Sequence, residues 1–464
     1  MESADDGVTV PLSNLATGVV MPQDIATRLL NAEELGMQEM NSFITKRITS
    51  NETGFWDTLP KIKIKTFASM VKKVQAKPSE EKLATVNADR NLFARLLIAS
   101  KSRDINLRDL LKYELSHVPC ALAHTDGSLR KNTKSCLLSV LEECIQALPR
   151  LPSINSDELS TAYVLDGMAA VQMLKTTGAL TFGEMGSSYF KGITAPLGKN
   201  NCVRVDVVFD RYDKADSIKE GERVRRGANA GFEVKISGPN TPVPKNWKSF
   251  ISNPVNKINL QNFLSTMWTE IGKLRLKPGQ QLVLAGCFPN PEDVRLVVRG
   301  NACSLNYLKC DHEEADTRMM LHASSCSHQH PRVVVQSPDT DVAVLCVHTY
   351  ESMRCEELWI KTGVKDKLRF IPVHTLTEVL GTNLCNLLPA FHALTGCDTT
   401  SALYQIGKRK GWKVLKDYAD RYADMSNLGS ELLPSEETVR TAEKYICSLY
   451  TTSARAGPTA DDVR

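Results

Sequence analysis

The sequence has no long apolar run, and this absence bears on where the protein resides. No stretch approaches the roughly 20 apolar residues that a membrane-spanning helix requires, so we expect no membrane segment. The opening residues, MESADDGVT, have neither the basic nor the apolar region of a secretory signal. We therefore expect an intracellular protein.

No pair of cysteines is spaced as CxxC, and the 13 cysteines are an odd, scattered set. Both features favour free thiols that act as small buried hydrophobes. A zinc site remains an alternative where Cys326, His328 and His330 lie together, with His312 and His322 upstream. Zinc ligands usually come as two defined pairs, and the segment SSCSHQHP suits a polar loop that closes a helix equally well.

The net charge is small, at +4, and does not by itself indicate a nucleic-acid partner. Local basic clusters such as ERVRR and GKRKGWK could each be an exposed, solvated face. The 464 residues, of which 42% are hydrophobic and 24% charged, suit a globular protein of two or three domains.

The pattern of residues changes near residue 150. Residues 1–21 predict a disordered N-terminus, and residues 22–150 place apolar side chains at helical spacing, which predicts a mainly helical domain. The stretch LPRLPSINSD predicts a linker over residues 151–159. A second domain should follow over residues 160–425, and residues 426–464 should form a C-terminal helix and a disordered tail.

Short apolar runs alternate with helical segments after the linker. TAYVL, VRVDVVF, QQLVLAG, PRVVVQS and DVAVLCV are apolar almost throughout, which suits parallel strands covered on both faces. The alternation predicts an α/β fold, with a central, mostly parallel, twisted sheet flanked by helices. The proline-rich stretch over residues 231–257 predicts an exposed insertion.

Several acids follow the predicted strands. Asp166 ends the first run, Asp210 follows the second, and Asp339 and Asp341 follow PRVVVQSP. The functional crevice of an open α/β sheet lies beyond the carboxyl ends of its strands, so these acids should converge. A lone Asp at such a place more often caps the next helix, but three strands ending in acids favour a site.

Converging carboxylates repel one another. Two unit charges about 4 Å apart cost about 4 kcal/mol at an effective dielectric near 20, so the cluster must protonate, spread or bind cations. Oxygen ligands favour hard divalent ions such as Mg²⁺ or Mn²⁺. Two such ions about 4 Å apart can hold the attacking water and the leaving oxygen of a phosphodiester.

The segments YVLDG, VVFDR, HEEAD, SPDTD and LTGCD occur in an order that resembles the flap endonuclease and 5′-exonuclease family of PIN-like nucleases. The resemblance runs through most of residues 160–420. It implies a PIN-like fold, two Mg²⁺ or Mn²⁺ ions and cleavage of nucleic acid, DNA more than RNA, in the nucleus. The metal ligands that it implies are Asp166, Asp210, Glu314, Asp316, Asp339, Asp341 and Asp398.

Two basic segments extend the resemblance. IKEGERVRR is similar to the start of the family's helical arch and implies that Lys219 and Arg226 contact the scissile phosphate. QIGKRKGWKVL is similar to the family's GIG segment, whose backbone holds DNA phosphates. The nucleic-acid-binding residues that it implies are Gly407, Lys408, Arg409 and Lys410.

The sequence also departs from the family. HEEAD stands where the family has EAEA, so Glu313 paired with Asp316 is an alternative to Glu314. Gln405 replaces the first glycine of GIG, and about 150 unrelated residues precede the first strand. HEEADTR and LTGCDTT also resemble segments of uncharacterised animal proteins of mobile-element origin.

Three hypotheses follow. The first is a two-metal, structure-selective nuclease. The second is an inactive nuclease fold that binds nucleic acid or acts as a scaffold, which the altered motifs motivate. The third is a role in element mobility in which the N-terminal region selects the target.

Overall fold

The computed structural model describes residues 23–50, 52–55, 57, 91–101, 103, 106–110, 118–124, 127–145, 154, 158–173, 180–212 and 233–451. The chain divides into two compact units, Met1–Ser128 and Leu129–Arg464. The described residues of the first unit are helical in three labelled segments and over residues 91–101. These segments are α1 (Gln23–Leu30), α2 (Ala32–Ile44), continued by a π-helical turn (Thr45–Thr49), and α3 (Leu107–Leu110).

The second unit contains an eight-stranded sheet. Its strands are β1 (Thr161–Asp166), β2 (Cys202–Val208), β3 (Gln281–Ala285), β4 (Val294–Val298), β5 (Asn301–Ser304), β6 (Arg332–Gln336), β7 (Glu357–Thr362) and β8 (Arg369–Pro372). The order across the sheet is β5-β4-β3-β2-β1-β6-β7-β8. The neighbours β3, β2, β1, β6 and β7 run parallel, and β4, β5 and β8 add antiparallel edges.

Helices flank this sheet. They are α4 (Ser135–Cys144), α5 (Gly167–Met173), α6 (Phe182–Ile193), α7 (Trp247–Ser252), α8 (Pro254–Arg275), α9 (Ala315–Ser327), α10 (Thr340–Thr349), α11 (Val373–Leu394), α12 (Lys408–Asp417) and α13 (Glu436–Tyr450). Helix α11 is broken at Gly381, whose φ is 74°. Short 3₁₀ segments lie at Asn306–Leu308, Tyr350–Ser352, Lys365–Lys367 and Ala419–Asn427.

The central strands are apolar throughout because both of their faces are covered. In β1, Ala162 and Val164 belong to one core and Tyr163 and Leu165 to the other, as the alternation of side chains along a strand requires. Helices α4, α9, α10 and α11 pack on the first face, and α6 and α8 on the second. The predicted fold class, an α/β fold with a mostly parallel central sheet between helices, is confirmed.

One predicted strand is wrong. DVAVLCV lies in helix α10, and the side chain of Asp339 caps this helix by accepting a hydrogen bond from the backbone N–H of Asp341 at 2.9 Å. The helix is buried on nearly every side, so its sequence is apolar throughout and cannot be told from a buried strand by periodicity.

The two units divide after Ser128, and the linker predicted over residues 151–159 stays a prediction. Helix α4, which the sequence grouped with the N-terminal domain, packs Leu137 and Leu141 into the first core of the second unit. Within residues 231–257, where an exposed insertion is predicted, the described part from residue 233 includes the buried Phe250 and Asn256. No helix among the described residues has the length and apolar character to cross a membrane.

Candidate metal centre

The acids predicted at the strand ends lie at one edge of the sheet. Asp166 is the last residue of β1, Asp210 comes two residues after the end of β2, and Asp339 follows β6 as the cap of α10. Strands β2, β1 and β6 are parallel neighbours, so their carboxyl ends meet at the same place. The topology itself therefore gathers these three carboxylates.

A glycine allows the ends of β1 and β2 to come close. A Cβ atom on Gly167 would lie 2.7 Å from the ring of Phe209, the residue that precedes Asp210. Since real Cβ atoms essentially never come that close to another heavy atom, only glycine fits after Asp166 with Phe209 where it is. The DG pair at the end of the first strand thus has a packing reason.

Asp210 positions helix α9. Its Oδ1 accepts a hydrogen bond from the backbone N–H of Ala315 at 2.8 Å, and its Oδ2 accepts one from the hydroxyl of Tyr212 at 3.1 Å. Glu314, at the N-cap position of α9, makes no capping bond with its own side chain. The carboxylate from β2 therefore takes the role of the cap, and the first turn of α9 is held against the sheet edge.

That first turn brings Asp316 to the acids of α10. One carboxylate oxygen from each of Asp316, Asp339 and Asp341 lies within 4.8 Å of the others, and Asp316 is 8% exposed. All of these donors are oxygens, which fits Mg²⁺ or Mn²⁺ and does not fit zinc. Among the described residues this is the one group of three or more His, Cys, Asp or Glu side chains with metal-ligand spacing. The zinc alternative gains no support there.

A cleft of about 350 Å³ opens beside this cluster. The side chains that line it are His312, Glu313, Glu314, Thr317, Asp341, Asp398 and Thr399. Glu314 and Glu313 therefore both face the cleft with Asp341, and the choice between them, open in the sequence, stays open. Asp398 comes from the loop after α11, where Gly396 has a φ of 96° that favours glycine.

Burial and mutual repulsion act on Asp166. Burial raises the pKa of its carboxyl group to about 6, against the effect of the N–H of Ala169, which donates to it at 2.9 Å. The charges of Asp210 and Asp339 raise the pKa further. A bound cation would reduce the repulsion between these carboxylates and favour the charged form of Asp166.

Lys134, which the sequence did not single out, is the cation at the centre of the site. Its Nζ lies 2.7 Å from Asp339, 3.0 Å from Asp398 and 3.3 Å from Asp341. Burial lowers the pKa of Lys134, but the charges of Asp339 and Asp341 outweigh burial and raise it above its usual value. Lys134 precedes Asp339 by 205 residues, so no local sequence motif predicts the contact.

Asp341 is held from its other side by histidine. The Nε2 of His392 donates to Asp341 at 2.8 Å, while its Nδ1 accepts from the ammonium of Lys408 at 3.1 Å. This is the tautomer that an ammonium donor imposes. Burial raises the pKa of Asp341, but the hydrogen bond from His392 and the charge of Lys134 prevail and lower it to about 2.

The basic segment at the start of α12 has one buried residue and three exposed ones. Lys408 is buried, its Nζ donates to the backbone oxygen of His392 at 2.7 Å, and burial lowers its pKa to about 8. This interior position does not suit the phosphate contact predicted for Lys408. Gly407, Arg409 and Lys410 are exposed, and Arg409 pairs with Glu143.

Two predicted catalytic residues, Lys219 and Arg226, lie outside the described residues. The seven predicted ligands all lie among the described residues. Asp316 lies close to Asp339 and Asp341, Asp398 contacts Lys134, and Glu314 lines the cleft. The charges of Asp210 and Asp339 act on Asp166. The role of the seven acids as metal ligands stays a prediction, which the close approach of Asp316, Asp339 and Asp341 supports. Lys134 and His392 were missed because each acts through a contact between distant parts of the chain.

No protein-family model matches the chain, and no curated protein matches it. Among solved structures the chain is similar to flap endonuclease-1 from Methanococcus jannaschii, with 16% identity and a TM-score of 0.33 over 65% of this chain and 82% of that one. It is also similar to the catalytic core of Rad2 in complex with DNA substrate, with 13% identity and a TM-score of 0.33 over 66% and 85%. At these values the function proposed below rests on the geometry of the site.

Proposed function

We propose that the second unit is a divalent-cation-dependent nuclease that hydrolyses phosphodiester bonds, with DNA as the expected substrate and the nucleus as the expected location. The observation that carries this proposal is the convergence of Asp316, Asp339 and Asp341 to within 4.8 Å at the carboxyl edge of a parallel sheet. A divalent ion bound there would polarise a phosphoryl oxygen and make water a stronger nucleophile.

The residues of the chain divide the remaining tasks. Asp166, Asp210 and Asp316 would supply carboxylates to a bound cation from three separate parts of the fold, which would fix its position relative to the sheet. The first turn of α12, with exposed Lys410 and Gly407, offers positive charge and backbone N–H groups to a nucleic-acid phosphate. Lys219 and Arg226 remain proposed phosphate contacts.

The direct test of this function replaces Asp339 by asparagine. An asparagine oxygen can still accept from the N–H of Asp341, so the cap of α10 is kept and only the charge is removed. We expect cleavage of single-stranded DNA, flap or overhang substrates to require Mg²⁺ or Mn²⁺. Asp339→Asn should lower the cleavage rate on the order of 10² to 10³-fold.

A matched control is Glu356→Gln, which removes an exposed carboxylate directly before β7, on the opposite edge of the sheet. This variant should cleave at the wild-type rate. Cleavage that persists in a chelator, or that Asp339→Asn leaves intact, would show that the cluster is not the active site. RNA versions of the same substrates decide between DNA and RNA.

A non-catalytic nucleic-acid-binding protein is the second candidate. The observation that favours it is Lys134, whose ammonium already pairs with Asp339, Asp341 and Asp398. This candidate predicts salt-sensitive binding with no turnover of any substrate, whether Mg²⁺ or Mn²⁺ is present or removed. Measurable turnover that depends on Asp339 would exclude it.

A further inference from the structure

All three N–H bonds of the Lys134 ammonium group have a carboxylate acceptor in the acidic cluster of Asp339, Asp341 and Asp398. The ammonium has three N–H bonds, and three carboxylate oxygens, from Asp339, Asp341 and Asp398, lie between 2.7 and 3.3 Å from its Nζ. With one acceptor for each donor, no N–H remains for a phosphate. Lys134 therefore serves the carboxylates and does not serve as a substrate contact.

The backbone on which Lys134 sits is tied to the loop that carries Asp398. The side chain of Asn132 donates to the carbonyl oxygens of Thr395 at 3.3 Å and Ile406 at 3.5 Å. The carbonyl oxygen of Arg130 accepts from the N–H of Ala402 at 2.9 Å. These bonds hold the residues before α4 against the loop between α11 and α12. Lys134, which follows them, is therefore fixed in position beside the cluster.

Asp339 and Asp341 take part in two sets of contacts. They share the ammonium of Lys134 with Asp398, and one carboxylate oxygen of each lies within 4.8 Å of an oxygen of Asp316. Carboxylates that bridge two cations about 4 Å apart are the arrangement of a two-metal site. Here Asp339 and Asp341 share the ammonium of Lys134, a cation that the chain itself supplies.

We propose that Lys134 replaces one of the two divalent ions, so that the site takes a single Mg²⁺ or Mn²⁺ beside a permanent ammonium. The divalent ion binds on the Asp316 side, with Asp166 and Asp210 next to it, and Lys134 neutralises the side of Asp398. The inference rests on the proposed function for the identity of the divalent ion, but it concerns how many ions bind.

The test measures Mn²⁺ binding to the full chain by isothermal titration calorimetry and by the electron paramagnetic resonance signal of free Mn²⁺. The wild type should bind one ion at the cluster. Lys134→Met, which keeps the length of the side chain and removes its charge, should bind two. Lys134→Arg, which keeps the charge, should again bind one.

The matched control is Lys273→Met. Lys273 is also paired with a carboxylate, that of Glu270 at 2.7 Å, but it lies on the surface of α8. This variant should bind one ion, as the wild type does. Each variant is checked by thermal unfolding with and without Mn²⁺, and the stoichiometry of the wild type tests the proposal even if Lys134→Met does not fold.

Wild-type protein that binds two ions at the cluster, or none, would overturn the inference, as would a folded Lys134→Met variant that binds one. Failure of the proposed function gives a different result. One bound ion without cleavage of any substrate would leave the inference standing and refute the nuclease, whereas cleavage with two bound ions would do the reverse.

Discussion

At the scale of single residues, the site depends on side chains that are small as well as on those that are charged. Gly167 lies between the end of β1 and the ring of Phe209, and Phe209 immediately precedes Asp210. The contact between Gly167 and Phe209 thus sets the distance between Asp166 and Asp210. A methyl group at residue 167 would have to push Phe209, and with it the backbone that carries Asp210.

We therefore expect Gly167→Ala to lower the free energy of unfolding by about 1–3 kcal/mol, the usual cost of overpacking a core. It should also weaken Mn²⁺ binding, because Asp166 and Asp210 move apart. Chemical denaturation and calorimetry measure the two effects. Gly238→Ala is the control, since a Cβ there meets nothing within 4 Å. Equal stability of the two variants would contradict the packing argument.

The candidate ligands were predictable from the sequence for a local reason. Asp166 and Asp210 directly follow apolar runs and Asp339 comes shortly after one, so the order of residues along the chain is enough to place them at strand ends. Lys134 and His392 carry no such signal, because a lysine before one helix and a histidine near the end of another fit many surfaces. Their roles arise only when distant segments pack together.

Lys408 shows what the local sequence does not reveal about burial. In the sequence it stands in a basic run after a glycine, which favours a phosphate contact. In the structure its ammonium donates to His392 and to the hydroxyl of Thr395 at 2.8 Å, away from solvent. Three adjacent basic residues at the start of a helix point in different directions, and the sequence does not say which of them turns inward.

At the scale of elements, β2 and α9 are joined by a buried ionic network. The guanidinium of Arg204 donates two hydrogen bonds to Asp206, at 2.7 and 2.8 Å, and the Nδ1 of His322 lies 2.7 Å from the same carboxylate. Asp206 is fully buried. Because β2 leads to Asp210 and α9 begins next to Asp316, this network fixes the two elements that carry those acids.

The network should give stability that depends on pH. Burial alone would raise the pKa of Asp206, but the charge of Arg204 and the hydrogen bond from His322 outweigh burial and lower the pKa below its usual value. A carboxyl group whose pKa is depressed in the folded protein stabilises the fold above its unfolded pKa. That contribution is lost as the pH falls through the folded value.

We expect Asp206→Asn to cost about 3–5 kcal/mol at neutral pH, because it leaves Arg204 buried without its partner. The difference in unfolding free energy from wild type should begin to shrink below about pH 4, where the carboxyl group of the unfolded chain takes up a proton. It should disappear only as the pH falls through the lower pKa of the folded protein. Urea denaturation across this pH range measures it. Asp417→Asn, at an exposed position of α12, should show neither effect. A difference that stays constant with pH would argue against the network.

Element assignment failed where packing overrode local preference. The run DVAVLCV is rich in β-branched residues, which favour strands, yet Asp339 caps it as a helix and it is buried on nearly all sides. The runs in β1, β2, β3 and β6 were predicted correctly because they are short and bounded by polar residues or glycine. Sequence periodicity cannot distinguish a buried helix from a buried strand, so this error follows from the fold itself.

At the scale of the whole molecule, the second unit begins at Leu129 and includes helix α4. Proline and serine residues near 151–159 predict a linker, but helix α4 on its N-terminal side is part of the core. Leu137 and Leu141 are fully buried in that core, and Glu142 pairs with Arg369 at 2.6 Å. A linker composition marks a flexible connection, and here the segment before it still folds onto the domain.

This boundary predicts how fragments of the chain behave. A fragment of residues 129–464 keeps α4 and Lys134, and it should unfold cooperatively and bind Mn²⁺. A fragment of residues 151–464 loses both, and it should be destabilised by more than the roughly 2–5 kcal/mol of a single buried Leu→Ala change. Circular dichroism during thermal unfolding compares the two, with Leu137→Ala and Glu143→Gln in the full chain as buried and exposed references. Equal stability of the two fragments would show that α4 is not part of the domain core. The packing of α4 would then not explain the position of Lys134 in the acidic cluster.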